Sequence, residues 1–388
     1  MEELRQFCLS PRQEEIIDLL CQGVSKRQIG IRLNIDERQV YRAVSAVKSR
    51  AASRGFDPEN NLTHPVGLNQ TLKGASTLYD GDGNMRLQWV KSTADQEAAK
   101  KAIEAAAESM LDGIKPLAPI KSSRKTLDKD LLTLYTLTDF HVGMMATNTE
   151  GEDNWDLNIA RRVMLCAMED MANGSPNSET AILNLQGDWL HFDSVLPVTP
   201  KHQHVLDASG RFHEIVDLSL KMTIDAINAL ALKHKKVVVI VCEGNHDISS
   251  SIWLKKSLGK VWEANKSIQI DQTNFPYMAY QHGSIMLAFH HGHKTKNKDL
   301  PGLFASEPRY RKMWGDCTYS YIHTGHYHHT EQDMAETGGA IVERHPTLAA
   351  RDSYTVSGGF VSMRAAKAIT YHKTLGEVAR ITVRPREQ

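Results

Sequence analysis

Five short clusters of aspartate, asparagine and histidine recur through the second part of the chain, and each carries side chains able to ligate a divalent cation. In order they are Asp139-Phe140-His141, Gly187-Asp188, Gly244-Asn245-His246-Asp247, His290-His291-Gly292-His293 and Gly325-His326-Tyr327-His328-His329. Histidine usage marks the same region, since of 18 histidines only His64 precedes Asp139. A lone D-x-H arises often by chance, whereas G-N-H-D and G-H-x-H are each more specific. All five in succession form a constellation that rarely occurs without function. Mixed nitrogen and oxygen donors suit divalent first-row metals. Two such ions about 3.5–4 Å apart can clamp a phosphoryl group and activate a water for in-line attack. A carboxylate is the natural bridge, because it offers an oxygen to each ion and lowers their repulsion, while neutral imidazoles ligate without adding negative charge.

Each cluster follows a short β-rich run. The runs cover residues 131–138, 181–186, 236–242, 284–290 and 319–324, and helical patterns at residues 159–172 and 212–233 separate the first three. The alternation predicts an α/β fold. In such sheets the loops at the carboxyl ends of strands converge on one rim, so residues remote in sequence can meet there.

In this order and placement the clusters resemble the calcineurin-like metallophosphoesterase superfamily, from about Leu131 to the C-terminus. The resemblance implies a β-sandwich flanked by helices and a two-metal phosphoesterase. It implies one ion held by Asp139, His141, Asp188 and His328, and a second held by Asp188, Asn245, His291 and His326, with Asp188 as the bridge. It casts His246 as the catalytic histidine that protonates the leaving alkoxide, and Asp247 as the group that orients it. Within residues 290–293 the histidine just before glycine, His291, matches the family position; His290 and His293 stay open as alternatives or as groups that buttress the ligands. His323 and His329 are read as packing or rim residues, and His202, His204 and His213 as surface-loop histidines. The donor types are compatible with Mn, Fe, Zn, Co or Ni. The resemblance favours Mn.

The first fifty residues read as short helices. Ser10 and Pro11 form an N-cap and first-turn pair ahead of Ile16, Ile17, Leu19 and Leu20, with a turn at Gly23. Ser25 can cap a second helix, and a third is predicted over residues 37–52. Residues 9–51 resemble the LuxR-type and sigma-factor-type helix-turn-helix, which implies DNA as a partner, with the last helix in the major groove. Arg38, Arg42, Lys48 and Arg50 on that helix are the expected phosphate contacts; a helical module for protein contacts is the alternative. Residues 56–72 read as a linker, and residues 76–92 as a hairpin around Asp80-Gly81-Asp82-Gly83-Asn84. Thr93 is expected to cap an alanine-rich helix over residues 94–112, a spacer or a homodimer contact. The expected organisation is a helix-turn-helix domain over residues 1–56, a linker, hairpin and spacer helix over 57–129, and a metallophosphoesterase domain over 130–388.

Composition narrows the remaining choices. Formal net charge is zero, so any nucleic-acid signal must be local. The amino-terminal stretch has no basic-then-apolar leader pattern, and no apolar run reaches bilayer length. No membrane association is expected, and cytosol is the expected compartment. Cys8, Cys21, Cys166, Cys242 and Cys317 are widely spaced with no C-x-x-C pair, which favours reduced thiols. A basic segment, with Lys294, Lys296, Lys298, Arg309, Arg311 and Lys312 beside Tyr310 and Trp314, could track a phosphate backbone. These features together favour a DNA nuclease similar to the SbcD-type branch. The plan also resembles phage-encoded metallophosphoesterases with an added helix-turn-helix, for which the compartment is the host cytoplasm. Too little chain follows Gly325-His326 for the long partner-binding extension of the SbcD-type enzymes. Two alternatives are a protein or nucleotide phosphomonoesterase localised by the helical module, and a DNA-binding regulator with a vestigial metal site.

Overall fold

A computed structural model of the chain describes all residues except 1, 61, 64, 67–69, 83–84, 95, 113–125, 152, 201–202, 328–333, 360, 362 and 387–388. The chain divides into two compact units, Met1–Ala102 and Ile103–Gln388.

In the first unit a 3-10 turn (Glu2–Phe7) precedes α1 (Pro11–Cys21), α2 (Lys26–Leu33) and α3 (Glu37–Ser53). Ser10 accepts from the Gln13 amide. Ser25 with Gln28 and Asp36 with Gln39 close reciprocal capping boxes, so all three helix starts are satisfied by local chemistry. Val40, Val44, Val47 and Ala51 recur at helical spacing on α3 and are buried, packing against Leu4, Phe7, Ile16, Ile17 and Ile29. The segment expected as a linker carries structure. β1 (Phe56–Asp57) pairs with β2 (Leu62–Thr63), and Phe56 stacks on Phe7 at 5.6 Å. The hairpin, β3 (Gln70–Tyr79) with β4 (Met85–Ala94), is longer than residues 76–92. Thr93 does not cap a helix; it pairs with Thr71 inside the hairpin, where a β-branched cross-strand pair favours extending the ladder. The alanine-rich helix α4 (Gln96–Met110) starts after it.

The second unit is built on two sheets. β5 (Asp128–Leu137), β6 (Ser178–Leu185), β7 (Lys236–Val241) and β8 (Ile268–Ile270) run parallel. With β14 (Ala366–His372) and β15 (Gly376–Val383) on the β5 side they make a sheet of order β15-β14-β5-β6-β7-β8. The second sheet comprises β9 (Met278–His282), β10 (Ile285–Phe289), β11 (Tyr319–Thr324), β12 (Met334–Thr337) and β13 (Ala340–Arg344), in the order β12-β13-β11-β10-β9. The helices are α5 (Leu157–Gly174), α6 (Phe212–Lys233), α7 (Ile248–Val261), α8 (Leu300–Ser306), α9 (Arg311–Asp316) and α10 (Ser353–Ser357).

Strand alternation assigns each side chain to a layer. Leu132, Leu134, Val238 and Ile240 face Ile285, Leu287 and Phe289 of the other sheet. Tyr135, Leu137, Val237, Val239 and Val241 face the opposite way, onto Met164, Met168, Ile227 and Leu230 of α5 and α6. On the far side Met286, Ala288 and Ile322 pack against Leu300 and Phe304 of α8. The result is the α/β sandwich flanked by helices that the sequence predicts. Strands covered on both faces need continuous apolar runs, which explains why β7 reads KVVVIV. Truncating one such residue, as in Ile240→Ala, is expected to cost about 2–5 kcal/mol. No helix among the described residues is long and apolar enough to cross a membrane.

Candidate metal centre

The carboxyl ends of β5, β6, β7, β10 and β11 bring the clusters together. Donor atoms of Asp139, His141 and Asp188 lie within 4.8 Å of one another, and so do those of Asp188, His291 and His326. Asp188 belongs to both groups. Around His291 Nε2 stand Asp188 Oδ2 at 3.1 Å, Asn245 Oδ1 at 3.2 Å and Asp139 Oδ1 at 3.9 Å. His291 Nδ1 donates to the Gln186 carbonyl at 2.9 Å; this fixes the tautomer and turns Nε2 towards the oxygens. His328 lies outside the described residues, as do His329 and His202.

The loops that hold these groups are strained and cross-laced. Asp139, His141, Asp188 and His326 have φ of 48°, 50°, 49° and 72°, a left-handed region that non-glycine residues seldom occupy and that clusters at functional sites. The Asp139 amide donates to Gly187 O and the His141 amide to Asp188 O, both at 3.1 Å. Asp139 Oδ2 accepts from Thr138 Oγ1 at 2.5 Å and from the His326 amide at 2.9 Å, while Asp188 Oδ1 accepts from the His246 amide at 2.8 Å. Two motif glycines are steric requirements. A Cβ at Gly244 would overlap the Asp188 carboxylate, and one at Gly325 would overlap Thr138 Oγ1 and Asp139 Oδ2. Burial raises the Asp188 carboxyl, but His291, His246 and His141 outweigh it and hold the group well below the usual carboxylate range. Burial lowers the His291 imidazole, and the charges of Asp188 and Asp139 reverse this and push it up to about 10.

Geometry distinguishes the histidines of the fourth cluster. His290 turns away, stacked on Tyr277 at 4.6 Å, and its Nδ1 accepts from the Gly292 amide at 3.0 Å. Burial, then the charges of His293 and His291, push His290 down to about 3. The His293 ring lies 5.3 Å from that of His291 and 6.2 Å from that of His326. His323 is buried, with Nδ1 2.8 Å from His345 Nε2. Donor atoms of His323, Glu343 and His345 also fall within 4.8 Å, but Glu343 already holds Lys367 at 2.8 Å and Arg380 at 2.9 Å, so this is a buried ion-pair network. His204 and His213 are exposed.

One expected role is corrected. Asp247 does not orient the His246 ring. From its position at the start of α7 its carboxylate folds back to accept from the amides of Gly244 at 2.9 Å, Trp189 at 2.7 Å and Leu190 at 3.2 Å, tying the loops after β6 and β7 together. Burial, then the charges of Asp188 and Asp193, push its carboxyl up to about 8. His246 Nδ1 instead donates to the His191 carbonyl at 2.8 Å. His191 itself escaped the sequence reading. It is 2% exposed, its Nδ1 is 3.3 Å from His141 Nδ1, and its ring stacks on His246 at 5.8 Å. Its place shortly after Asp188 was the available signal. Asp193, also missed, accepts from the amides of Ser249 at 2.6 Å and Ser250 at 2.7 Å in the first turn of α7.

On α3 Arg38 and Arg42 are exposed beside Tyr41, over whose ring Lys26 sits at 3.8 Å. Lys48 pairs with Glu59 at 2.9 Å. Arg50, expected to face DNA, turns inward because α3 carries it beside the amino-terminal turn. There it donates to Phe7 O at 2.9 Å and Gln13 Oε1 at 2.7 Å. In the basic segment Lys294 pairs with Glu243, Lys312 with Asp316 at 2.5 Å, and Arg309 lies over Phe275 at 4.1 Å.

No protein-family model and no curated protein matches this sequence. Among solved structures the chain is similar to an archaeal phosphodiesterase, with 14% identity and a TM-score of 0.32 over 65% of this chain and 99% of that one. It is also similar to a Vps29 double mutant from Entamoeba histolytica, with 12% identity and a TM-score of 0.26 over 65% and 98%. A third similarity is to a 5'-nucleotidase from Staphylococcus aureus described as putative, with 13% identity and a TM-score of 0.31 over 66% and 55%. At these values the metal-capable cluster itself, rather than the likenesses, bears the functional conclusion.

Proposed function

We propose that the unit Ile103–Gln388 is a two-metal-dependent phosphodiesterase of the calcineurin-like metallophosphoesterase kind, and that the whole chain is a DNA nuclease targeted by its amino-terminal helix-turn-helix. The observation that carries the first part is Asp188, shared between two donor groups of the right chemistry. The donor set fits two divalent ions, with Mn the first choice and Fe, Zn, Co or Ni accommodated by the same atoms. Asp139, His141, Asp188 and His328 would hold one, and Asp188, Asn245, His291 and His326 the other. Bound there, such ions supply Lewis-acid activation of the phosphoryl group and of the attacking water.

The chain's own groups do the rest. Nδ1 of His246 keeps its proton on a carbonyl, which can only accept, so Nε2 is the nitrogen that exchanges: in the imidazolium form it carries a second proton that can pass to a leaving alkoxide, leaving the neutral ring. Asp247 fixes the loop that carries His246. Gln186 O holds His291 in one tautomer. For the second part, exposed Arg38 and Arg42 on α3 support phosphate contact. The monoesterase reading draws on a different observation: Lys48, Arg50, Lys294 and Lys312 already have protein partners, which thins the cationic track.

Incubation with Mn and labelled single- and double-stranded DNA, alongside bis-p-nitrophenyl phosphate and p-nitrophenyl phosphate, tests both parts. Cleavage of DNA and of the diester is expected. Hydrolysis of the monoester alone would favour the second reading, and no hydrolysis of any substrate would defeat the enzyme assignment.

A further inference from the structure

We propose that the hairpin formed by β3 and β4 is a dimerisation surface whose partner is the same hairpin of a second copy of this chain, the two packed face to face and antiparallel about a two-fold axis. The inference is independent of the two-metal reading. Among the described residues the two strands pair only with each other, and none of their described side chains is buried. A two-stranded ribbon without a core is marginally stable in water and needs a further strand or a surface to pack on. The register identifies the face that lacks one. Leu78 stands opposite Leu87 and Ser76 opposite Trp89, so strand alternation puts both leucines and Trp89 on one face. These three are 53%, 49% and 55% exposed. On the other face Thr77, Gln88 and Val90 are half-buried, with Gln88 Nε2 donating to Thr77 Oγ1 at 2.9 Å. The more polar face is thus the covered one, and contiguous bare apolar surface of this kind marks an interaction site.

Charge along the ribbon decides the occupant. Lys91, two residues beyond Trp89 and exposed, lies on the same face at the stem end. At the turn end stands exposed Asp82, beside an Asp80 that already holds Arg86 at 3.1 Å. A cation at the stem, an apolar middle and an anion at the turn complement themselves when reversed. Two copies related by a two-fold axis set Trp89 of each against Leu78 and Leu87 of the other, and Lys91 of each beside Asp82 of the other. The contact is isologous and closed, with the apolar, aromatic centre and charged rim of a protein interface. A nucleic-acid strand fits this face less well, because the turn acids repel phosphate. The face is about 20 Å long at the strand rise, which puts it at the low end of specific interfaces, so the pair is reversible and forms in the micromolar range.

Sedimentation velocity of the full chain from about 1 to 100 µM tests the pairing, with thermal melting as the control for folding. Wild type is expected to pass from monomer to dimer across that range, and Trp89→Glu to associate at least about tenfold more weakly. Lys91→Glu and Asp82→Lys each set like charges against one another and should weaken the pair severalfold. The double variant Lys91→Glu/Asp82→Lys restores opposite charges across the two-fold axis and should return association towards wild type, a recovery that damage to the hairpin alone does not give. Should Trp89→Glu fail to fold, the charge variants carry the comparison. A wild-type chain that stays monomeric throughout, a dimer unchanged in folded Trp89→Glu, or a double variant no tighter than the single ones overturns the proposal. A monomeric chain whose affinity for duplex DNA falls in Trp89→Glu overturns it in favour of nucleic acid on this face.

Discussion

His246 Nδ1 donates to a backbone carbonyl rather than to a carboxylate, so the ring is oriented without the carboxylate that a catalytic triad supplies. In the proposed reaction the protonated ring gives its Nε2 proton to the leaving alkoxide. His246→Ala is expected to keep both metal ions while lowering turnover about 10²–10⁴-fold on esters with poor leaving groups, and far less on nitrophenyl esters, which need little protonation. Loss of metal in that variant would make His246 a ligand instead. Asp247→Asn replaces an acceptor of three amides by a group that also donates. A drop in stability of about 1–3 kcal/mol is expected by chemical denaturation, and unchanged stability would remove Asp247 from its anchoring role. The metal-capable side chains were legible in the sequence because residue type states their chemistry. The partner of His246 was not, because a main-chain carbonyl leaves no trace in residue type.

At the scale of elements the site is a property of strand ends. β7 and its neighbours were legible because strands covered on both faces must be continuous apolar runs. β14 and β15 were not: β15 is an edge strand that mixes Glu377 and Arg380 with Ile381 and Val383, and its pairing is set by distant residues. Thr93 was misread for a related reason, since its partner Thr71 is remote in sequence. The network of His323, Glu343, His345, Lys367 and Arg380 joins β11, β13, β14 and β15 and predicts a pH dependence. Burial depresses His345 from 6.5 to about 4, and burial with the charge of His345 depresses His323 well below its ordinary value. Below about 6.5 the unfolded chain therefore binds protons that the folded chain refuses, so stability falls as pH falls from there towards 4. Glu343, which burial would raise, is held far below the carboxylate range, and the Arg380 hydrogen bond and Lys367 charge that act on it persist throughout that window. Melting temperature should fall between pH 7.5 and 5.5, and less steeply in His345→Gln; equal slopes would contradict this.

At the scale of the molecule, the metal-capable cluster lies in one compact unit and the three capped helices in the other. A chain beginning at Gln96 keeps α4, whose Glu108 pairs with Lys256 of α7 at 2.8 Å, and should still fold and hydrolyse a small diester. Its affinity for duplex DNA should fall and its salt dependence flatten, because Arg38 and Arg42 no longer displace counterions; an unchanged salt slope would remove the helical module from DNA delivery. The module's helices were legible from Ser10, Ser25 and the turn at Gly23. The inward turn of Arg50 was not, since its acceptor is the carbonyl of Phe7 at the far end of the module. One carboxylate, Asp188, is proposed to serve two ions. The most direct measurement is Mn bound per chain in wild type and Asp188→Asn, by mass spectrometry after reconstitution and dialysis. About two ions are expected in wild type and fewer than one in the variant, with diester hydrolysis lost in parallel. Two tightly bound ions and retained hydrolysis in Asp188→Asn would contradict it.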